Sequence, residues 1–186
     1  MSDILKKRIA SSFQGLVNEQ DFEHLSVTLV MHKAKVRRQT FYDYFLDKYD
    51  LLSWFVHESL SELIDSNINY LPWEDIIKLT FFELNANRNF YTKCIREQHE
   101  FDMTNALAQH LSLLVLSWAK SGPRKDKTEN QALIDVLSLG IGHLATHNLL
   151  VNHPLDYEFL TNEAIESLNL TIALFNKANR QLRIKI

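Results

Sequence analysis

The sequence predicts an all-α protein, and three observations carry that prediction. Of its 186 residues, 46% are hydrophobic, which is enough to build a substantial core. Only four glycines and three prolines are present, whereas an all-β chain needs many turn-forming residues. Apolar residues recur three and four positions apart along most of the chain, as on one face of an amphipathic helix. We therefore expect long helices joined by short loops.

Three helices are predicted in the first quarter of the chain. The first spans residues 3–18, where apolar residues recur at helical spacing behind Asp3, the expected N-cap. Ser26 can cap a second helix that ends near residue 33, and residues 34–37 turn into a third that ends near residue 45. The apolar residues expected to form their shared core are Phe13, Leu16, Phe22, Leu29, Val30, Val36, Phe41 and Phe45.

Further helices are predicted over residues 47–68, 73–87, 89–96, 103–120, 128–152 and 157–177. Asp47 is placed to cap the first of these, and Pro72 and Pro154 interrupt the helical pattern. Thr128 opens a T-x-x-Q capping box, directly after the charged linker at residues 121–128. These boundaries divide the chain into a small domain, residues 1–46, and a larger helical domain, residues 47–186.

Charge and cysteine usage exclude several kinds of protein. A net charge of −3 and a pI near 6.2 argue against a protein that coats nucleic acid through bulk charge. Cys94, the single cysteine, excludes an intrachain disulfide and a thiol-held metal cluster, which favours a reducing cytoplasm. No signal peptide is evident at the N-terminus, and we expect no apolar run that approaches the roughly 20 residues of a membrane span.

The small domain carries local positive charge where two of its helices meet. Residues 26–45 hold Lys33, Lys35, Arg37 and Arg38 against a single acid, Asp43. Two short helices with a cationic start to the second are typical of a helix-turn-helix, whose second helix enters the major groove of DNA. An ordinary helical hairpin with a solvated basic face is the alternative that charge alone leaves open.

Each polar side chain of this segment suits a different DNA contact. Arg37 and Arg38 fit phosphates or guanine, Gln39 fits adenine, and the methyl group of Thr40 fits the methyl group of thymine. The hydroxyl groups of Tyr42 and Tyr44 and the ammonium group of Lys48 fit backbone phosphates. The predicted DNA-binding residues are Ser26, Thr28, Lys35, Arg37, Arg38, Gln39, Thr40, Tyr42, Tyr44 and Lys48.

The residues of this segment resemble those of the TetR/AcrR family of transcriptional regulators. The resemblance is carried by Ala34, Val36, Thr40, Tyr42, Phe45, Lys48, Leu51 and Leu52. Lys35 stands where the family usually has glycine, so it must adopt a left-handed conformation or reshape the turn. Residues 37–52 look like the branch of dihydroxyacetone kinase operon activators, which implies an activator that works with a dihydroxyacetone-binding kinase-like co-regulator. The resemblance also implies a homodimer on a palindromic operator.

The larger domain offers two sets of candidate residues. A cluster of aromatic residues and histidines is either an effector pocket or simply core, namely Phe82, Tyr91, His99, Phe101, His110 and Trp118. Apolar positions on the last two predicted helices suit either an intrasubunit packing or a four-helix dimer interface, namely Leu133, Val136, Leu137, Leu144, Ile165, Leu168, Ile172 and Phe175.

Other motifs carry little chemistry. His143 and His147 are four residues apart, as in a metal-binding helix, but two polar helix residues without a metal are the favoured interpretation. Gly140 and Gly142 lie inside a helical pattern, where close helix packing explains them better than a phosphate site. No catalytic residue and no cofactor are predicted. The remaining alternatives are a repressor released by a small ligand and a helical adaptor that binds only proteins.

Overall fold

The computed structural model describes residues 2–96, 101–121 and 131–184. Within these ranges the protein is all-α, without strands, which confirms the predicted class. Its α-helices are α1 (Ser2–Glu19), α2 (Val27–Lys33), α3 (Lys48–Leu63), α4 (Trp73–Ala86), α5 (Arg88–Arg96), α6 (Met103–Ser121), α7 (Gln131–Leu150) and α8 (Tyr157–Ile184). Short 3-10 helices cover Phe22–His24, Arg38–Asp43 and Asp65–Asn67.

Most predicted helices begin within one or two residues of the predicted position. Two helices, however, end at positions that differ from the predicted ones. The helix predicted to reach residue 68 ends at Leu63. Asn67 explains this end, because its side-chain amide donates to the carbonyl oxygens of Glu62 and Leu63 at 3.1 and 3.0 Å and takes up acceptors that the next turn would have used. The last helix is longer than expected, since α8 extends to Ile184. The predicted cap at Thr128 lies outside the described residues.

One contiguous cluster of buried side chains extends from Ile9 in α1 to Leu168 in α8. Two members of the predicted N-terminal core lie outside it: Leu29 is 36% exposed and Val36 is only partly buried. Successive side chains of an α-helix point in different directions. The seven-residue helix α2 turns Val30 and Met31 toward the core, and this orientation leaves Leu29 on the outer side. The prediction of Leu29 as a core residue was therefore wrong.

Helices α6 and α7 pack closely against each other at Gly142. A Cβ atom at this position would lie 3.1 Å from the carbonyl oxygen of Thr104, which is tighter than an ordinary contact. A hydrogen bond of 2.8 Å between the hydroxyl groups of Thr104 and Thr146 fixes the same crossing. Among the described residues, Gly140 has no neighbouring atom within 4 Å of such a Cβ, so the packing role predicted for both glycines belongs to Gly142 within the described part of the subunit.

The apolar character of α7 corrects the expectation that no apolar run approaches the length of a membrane span. An 18-residue stretch of this 20-residue helix has a mean hydropathy of 1.2, so the helix is long and apolar enough to cross a membrane, and 39% of that stretch is buried inside the protein. A single such helix is weak evidence, because core helices of water-soluble proteins pass the same test. The packing of α7 along α6 accounts for its buried side.

Helix α5 contacts the C-terminal ends of two other helices. On one side, Arg88 donates to the carbonyl oxygens of Asn148 and Val151 at 2.9 and 3.1 Å, at the end of α7. On the other side, Lys93 donates to the carbonyl oxygens of Val17 and Gln20 at 2.7 and 3.0 Å, at the end of α1. We call these side chains, together with Asn89 and Thr92, the α5 clamp. Through it, the small N-terminal unit is joined to the rest of the fold.

Candidate DNA-binding surface

The surface begins at the turn that follows α2. Ser26 caps this helix as predicted, since its hydroxyl oxygen accepts the backbone N–H of Leu29 at 3.2 Å. At the other end, the N–H of Val36 donates to the carbonyl of Met31 at 3.0 Å and the N–H of Lys35 to that of His32 at 3.1 Å. These paired bonds form a Schellman motif, which requires a left-handed residue just after the helix.

Lys35 is that left-handed residue, with φ of 55°. It is the sole non-glycine residue with positive φ in the described part of the chain. A Cβ in this conformation costs roughly 1–2 kcal/mol, which a glycine would not. Of the two outcomes expected for Lys35, the structure has the strained residue and keeps the turn.

The segment after the turn is a 3-10 helix over Arg38–Asp43, which we call the recognition segment. The prediction of a third α-helix reaching residue 45 was wrong in this respect. Six residues are too few for an isolated α-helix to be favourable, and short helices often adopt the tighter 3-10 form. Phe41 anchors the segment, because it is fully buried and its ring lies 5.5 Å from that of Phe45.

The polar side chains predicted to bind DNA lie along one continuous stretch, and most of them are exposed. The exposed ones are Ser26, Thr28, Lys35, Arg37, Arg38, Gln39 and Tyr42. Thr40, Tyr44 and Lys48 are partly buried. Because Phe41 and Phe45 point inward, Arg37 just before the recognition segment and Arg38 at its start are left facing outward. Their individual roles on DNA stay predictions.

Arg38 and Tyr42 form a pair on the outer side of the recognition segment. The guanidinium Nη2 donates to the Tyr42 hydroxyl at 3.3 Å, and its central carbon lies 5.9 Å from the ring centroid. This cation–π contact restrains a long side chain that is otherwise in solvent. A pre-ordered guanidinium loses less conformational entropy when it forms a bidentate contact.

Lys48 is held inside the domain. Its ammonium donates to the carbonyl oxygens of Phe22 and Glu23 at 2.9 and 3.0 Å and lies 4.7 Å from the centroid of the Phe22 ring. The start of α3 is thereby joined to the chain that follows α1. An ammonium has three protons, so one remains for the phosphate contact predicted for this residue.

Two features of this region were not predicted from the sequence. Lys6 on α1 lies 6.0 Å from the ring centroid of Tyr44 and 5.6 Å from that of Trp54, so it adds a positive charge beside the recognition segment. The basic run at residues 6–8 was the available signal. In addition, Asp50 accepts the N–H of Leu46 at 2.9 Å, which complements the predicted cap at Asp47.

Of the described residues predicted to line an effector pocket, only Phe101 and His110 share a neighbour, which is His57. Phe82 is 53% exposed and lies in an open groove of about 340 Å³ between α4 and α8, next to Tyr157. Trp118 stacks on Trp73 with ring centroids 4.7 Å apart. Tyr91 is fully buried, and its hydroxyl has no hydrogen-bond partner among the described residues. The predicted His99 lies outside the described residues.

His110, another predicted pocket residue, belongs to a polar chain between α3 and α6. Its Nδ1 lies 2.9 Å from both carboxylate oxygens of Asp65, and its Nε2 lies 3.2 Å from Nδ1 of His57. Phe101 packs edge-on against His57, with ring centroids 6.1 Å apart. Burial, followed by the proximity of His110, lowers the pKa of His57, whereas Asp65 opposes this shift.

The predicted dimer residues separate into two groups. Val136 and Leu144 on α7 are 66% and 37% exposed, and Leu133 and Leu137 are partly buried. On α8, Leu168 is fully buried in its own subunit and Ile165 is partly buried. The side chains of Ile172 and Phe175 lie outside the described part. Leu168 is thus a core residue, and the exposed members of the predicted set whose side chains are described, Val136 and Leu144, lie on α7.

Comparison with known proteins relates the chain to helix-turn-helix regulators by sequence. It is 39% identical over 92 residues to the HTH-type dhaKLM operon transcriptional activator DhaS of Lactococcus lactis, covering 50% of this chain and 49% of that protein. It is 34% identical over 50 residues to the uncharacterised HTH-type transcriptional regulator YxbF of Bacillus subtilis, covering 27% of this chain and 13% of the relative. The matches thus span about half or less of each curated relative. No known protein-family profile matches the chain.

Solved structures extend the likeness over nearly the whole chain. A dihydroxyacetone kinase operon activator, DhaS, superposes with a TM-score of 0.74 and 25% identity, covering 92% of this chain and 97% of that one. The fold is shared by a TetR-family regulator from Syntrophomonas wolfei, with a TM-score of 0.67 and 18% identity over 94% of this chain and 97% of that one. It is also shared by the fatty acid degradation regulator FadR from Bacillus halodurans, with a TM-score of 0.62 and 16% identity over 87% of this chain and 96% of that one. By sequence over half its length and by fold over nearly all of it, the chain is therefore similar to helix-turn-helix transcriptional regulators, and in particular to the dihydroxyacetone kinase operon activator DhaS.

Proposed function

We propose that this protein is a DNA-binding transcriptional regulator that activates a dihydroxyacetone kinase operon. The observation that carries the proposal is the recognition segment, where Arg37, Arg38 and Gln39 are exposed after a preserved helix-turn-helix turn. The sequence similarity to the activator DhaS supports the same function. Residues 1–46 serve as the DNA-binding domain, and the protein acts in the cytoplasm as a non-enzymatic factor.

The base and phosphate contacts follow from the chemistry of the exposed groups. Arg38, restrained by Tyr42, reads guanine or a phosphate, and Gln39 beside it reads adenine. Lys35, Arg37 and Lys48 neutralise phosphates, so that binding weakens as salt rises. Because the whole chain is negative, this local patch sets the orientation in which the protein approaches DNA.

A homodimer presents two recognition segments to a palindromic operator. The exposed apolar side of α7 supports this arrangement, since Val136, Leu139 and Leu150 are 66%, 42% and 38% exposed. Gly140, on the same side, has open space around it and allows a second helix to approach closely. Two recognition segments about 34 Å apart then fit successive major grooves on one face of the DNA.

The α5 clamp provides a route by which the larger domain acts on the DNA-binding domain. Arg88 donates to the end of α7, which carries the proposed dimer surface, and Lys93 donates to the end of α1, which packs on α2. A shift of α7 on partner binding therefore moves α1 through a rigid nine-residue helix. Regulation then changes the separation of the two recognition segments.

A protein co-regulator similar to the dihydroxyacetone-binding kinase subunit is the proposed source of that shift. The scattering of Phe82, Tyr91 and Trp118 over three separate environments favours a protein partner over a small ligand held between them. The class of partner comes from the resemblance of residues 37–52 to the branch of dihydroxyacetone kinase operon activators.

Selection of random duplex DNA by the purified full chain tests the function. We expect enrichment of a palindrome bound at nanomolar concentration, with a loss of about 1–3 kcal/mol on Arg38→Ala. Lys78→Ala is the matched control, because Lys78 is a cation on α4 whose partner, Asp75, lies on the same helix. Absence of any enriched sequence would favour the protein-binding adaptor. A stable monomer at micromolar concentration in sedimentation would refute the homodimer.

The co-regulator has its own test. A purified dihydroxyacetone-binding kinase subunit, with dihydroxyacetone present, should bind the operator-bound chain and increase transcription in a reconstituted assay. The same assay without the subunit gives the basal rate. Repression that a small apolar compound relieves would contradict the activator and support the alternative regulator.

A further inference from the structure

Two histidines lie on the outward side of α7, and no side-chain hydrogen bond joins either imidazole to another described residue. His143 and His147 are both exposed, and their rings stack with centroids 5.6 Å apart and planes at 20°. The four-residue spacing places both imidazoles on one face of the helix. From the sequence alone this pair reads as two polar helix residues, because neither exposure nor ring geometry is visible there.

Their surroundings are apolar and become buried if a second copy covers them. Val136, Leu139 and Leu150 share this side of the helix, and Gly140 leaves open space beside it. Between residues 136 and 150 there is no Asp, Glu, Lys or Arg. Imidazoles that lose water on such a face need new partners, and residues 136–150 of α7 supply no charged one.

A pair of imidazoles four residues apart on a helix can chelate one metal ion, since rotation of the side chains brings one nitrogen of each to about 2.0–2.1 Å from it. Imidazole ligands suit Zn²⁺ and its neighbours in the first transition series. Within the described part of the subunit, no group of three or more His, Cys, Asp or Glu residues could hold a metal. One subunit therefore supplies two of the four ligands of a tetrahedral site.

We propose that His143 and His147 from two copies of the chain together bind one Zn²⁺ ion across the dimer axis. A two-fold axis beside this face doubles the pair to four nitrogens, which completes a tetrahedral set without any other residue. The inference rests on the homodimer under the proposed function. It makes the association of the subunits dependent on zinc and on pH, because the imidazoles must be neutral to bind metal.

Calorimetric titration of the EDTA-treated full chain with Zn²⁺ alone tests the site. We expect saturation at one ion per two chains, and with Co²⁺ in its place the intense visible absorption of a tetrahedral complex. His143→Ala and His147→Ala should each lose the saturable binding while keeping the far-UV circular dichroism spectrum. His153→Ala is the matched control, since His153 is also exposed but lies in the loop after α7. Saturation at one ion per chain, or unchanged binding in both variants, would overturn the proposal.

Measurements on the metal-free chain separate this inference from the proposed function. Sedimentation and DNA selection in EDTA report on the homodimer and on DNA binding without zinc. A metal-free dimer that binds its palindrome but takes up no Zn²⁺ overturns the metal site alone. A chain that stays monomeric both with and without Zn²⁺ overturns the homodimer and the metal site together.

Discussion

Lys93 on α5 lies with its Nζ 2.7 Å from the carbonyl oxygen of Val17, which makes the last turn of α1 depend on a helix more than seventy residues further along the chain. The same ammonium donates to the carbonyl of Gln20 at 3.0 Å. A helix end carries unpaired carbonyls and partial negative charge, so a cation is favourable there. The position of α1, and with it that of α2 and the recognition segment, is therefore set partly by α5.

Substitution Lys93→Met should lower the free energy of unfolding by about 1–3 kcal/mol, because it removes a charged donor from carbonyls at the end of α1. Lys78→Met is the control, since its exposed pair with Asp75 within α4 contributes at most about 0.5 kcal/mol. Urea denaturation of both variants measures the difference. Lys93→Met should also weaken operator binding while the protein is folded, and an unchanged operator affinity would contradict the coupling through α5.

Substitution Lys35→Gly should raise the free energy of unfolding by roughly 1 kcal/mol, because glycine adopts the left-handed conformation without strain. Lys35→Ala is the matched control: it removes the same charge but keeps a Cβ and therefore the strain. Thermal denaturation compares the two variants. Both should weaken binding of all DNA sequences equally if Lys35 contacts a phosphate, and a lower stability of the glycine variant would show that the turn is not strained.

Local features of this fold were predictable because they depend on neighbouring residues. Ser26 and Asp47 cap their helices as expected, since a side-chain oxygen before an apolar run can reach the first free N–H groups. Pro72 and Pro154 mark real breaks for a similarly local reason. The left-handed conformation at Lys35 was one of two expected outcomes.

Features that depend on distant contacts were not predictable. The chain of His57, His110 and Asp65 joins residues 45 and 53 positions apart, and no periodicity in the sequence connects them. The buried position of Phe41 fits an α-helix and a 3-10 helix alike, so the apolar pattern of the recognition segment could not distinguish the two forms. The apolar pattern of α7 and α8 likewise does not tell which residues face the core of their own subunit. Leu168, for example, suited a dimer interface by its position in the sequence but is fully buried within its subunit.

The stability of the protein should fall as the pH drops below about 6.5, partly because of His57. Burial, and then the adjacent His110, lower the pKa of His57 in the folded state. As the pH falls, His57 therefore takes up a proton in the unfolded chain before it does so in the folded chain. The unfolded state then binds more protons between the two pKa values, and stability rises with pH through that window.

Substitution His57→Gln should remove this part of the acid dependence, because an amide does not titrate. Urea denaturation at pH 7.5, 6.5 and 5.5 gives the slope for both proteins. His153→Ala, which changes an exposed histidine, is the control and should keep the wild-type slope. An identical slope in His57→Gln would mean that His57 titrates alike in the folded and unfolded states.

The two glycines of α7 should respond to alanine in opposite directions. Gly142→Ala places a Cβ 3.1 Å from the Thr104 carbonyl and 3.5 Å from the Ala108 nitrogen, and backbone atoms of α6 cannot move aside as a flexible side chain would. We expect a loss of about 1–3 kcal/mol in the free energy of unfolding. In the part of the chain that the structure describes, Gly140→Ala meets no atom within 4 Å, so the higher helix propensity of alanine should stabilise the subunit by about 0.5–1 kcal/mol.

Sedimentation of the same two variants distinguishes packing within a subunit from packing between subunits. If a second copy approaches α7 closely at Gly140, the added methyl group must separate the two helices, and Gly140→Ala should dissociate at a higher dissociation constant than the wild type although its subunit is more stable. Stronger or unchanged dimerisation of Gly140→Ala would mean that the subunits meet elsewhere. Because a more stable subunit cannot by itself weaken association, a gain in subunit stability together with a loss of dimer affinity places the contact at this face of α7.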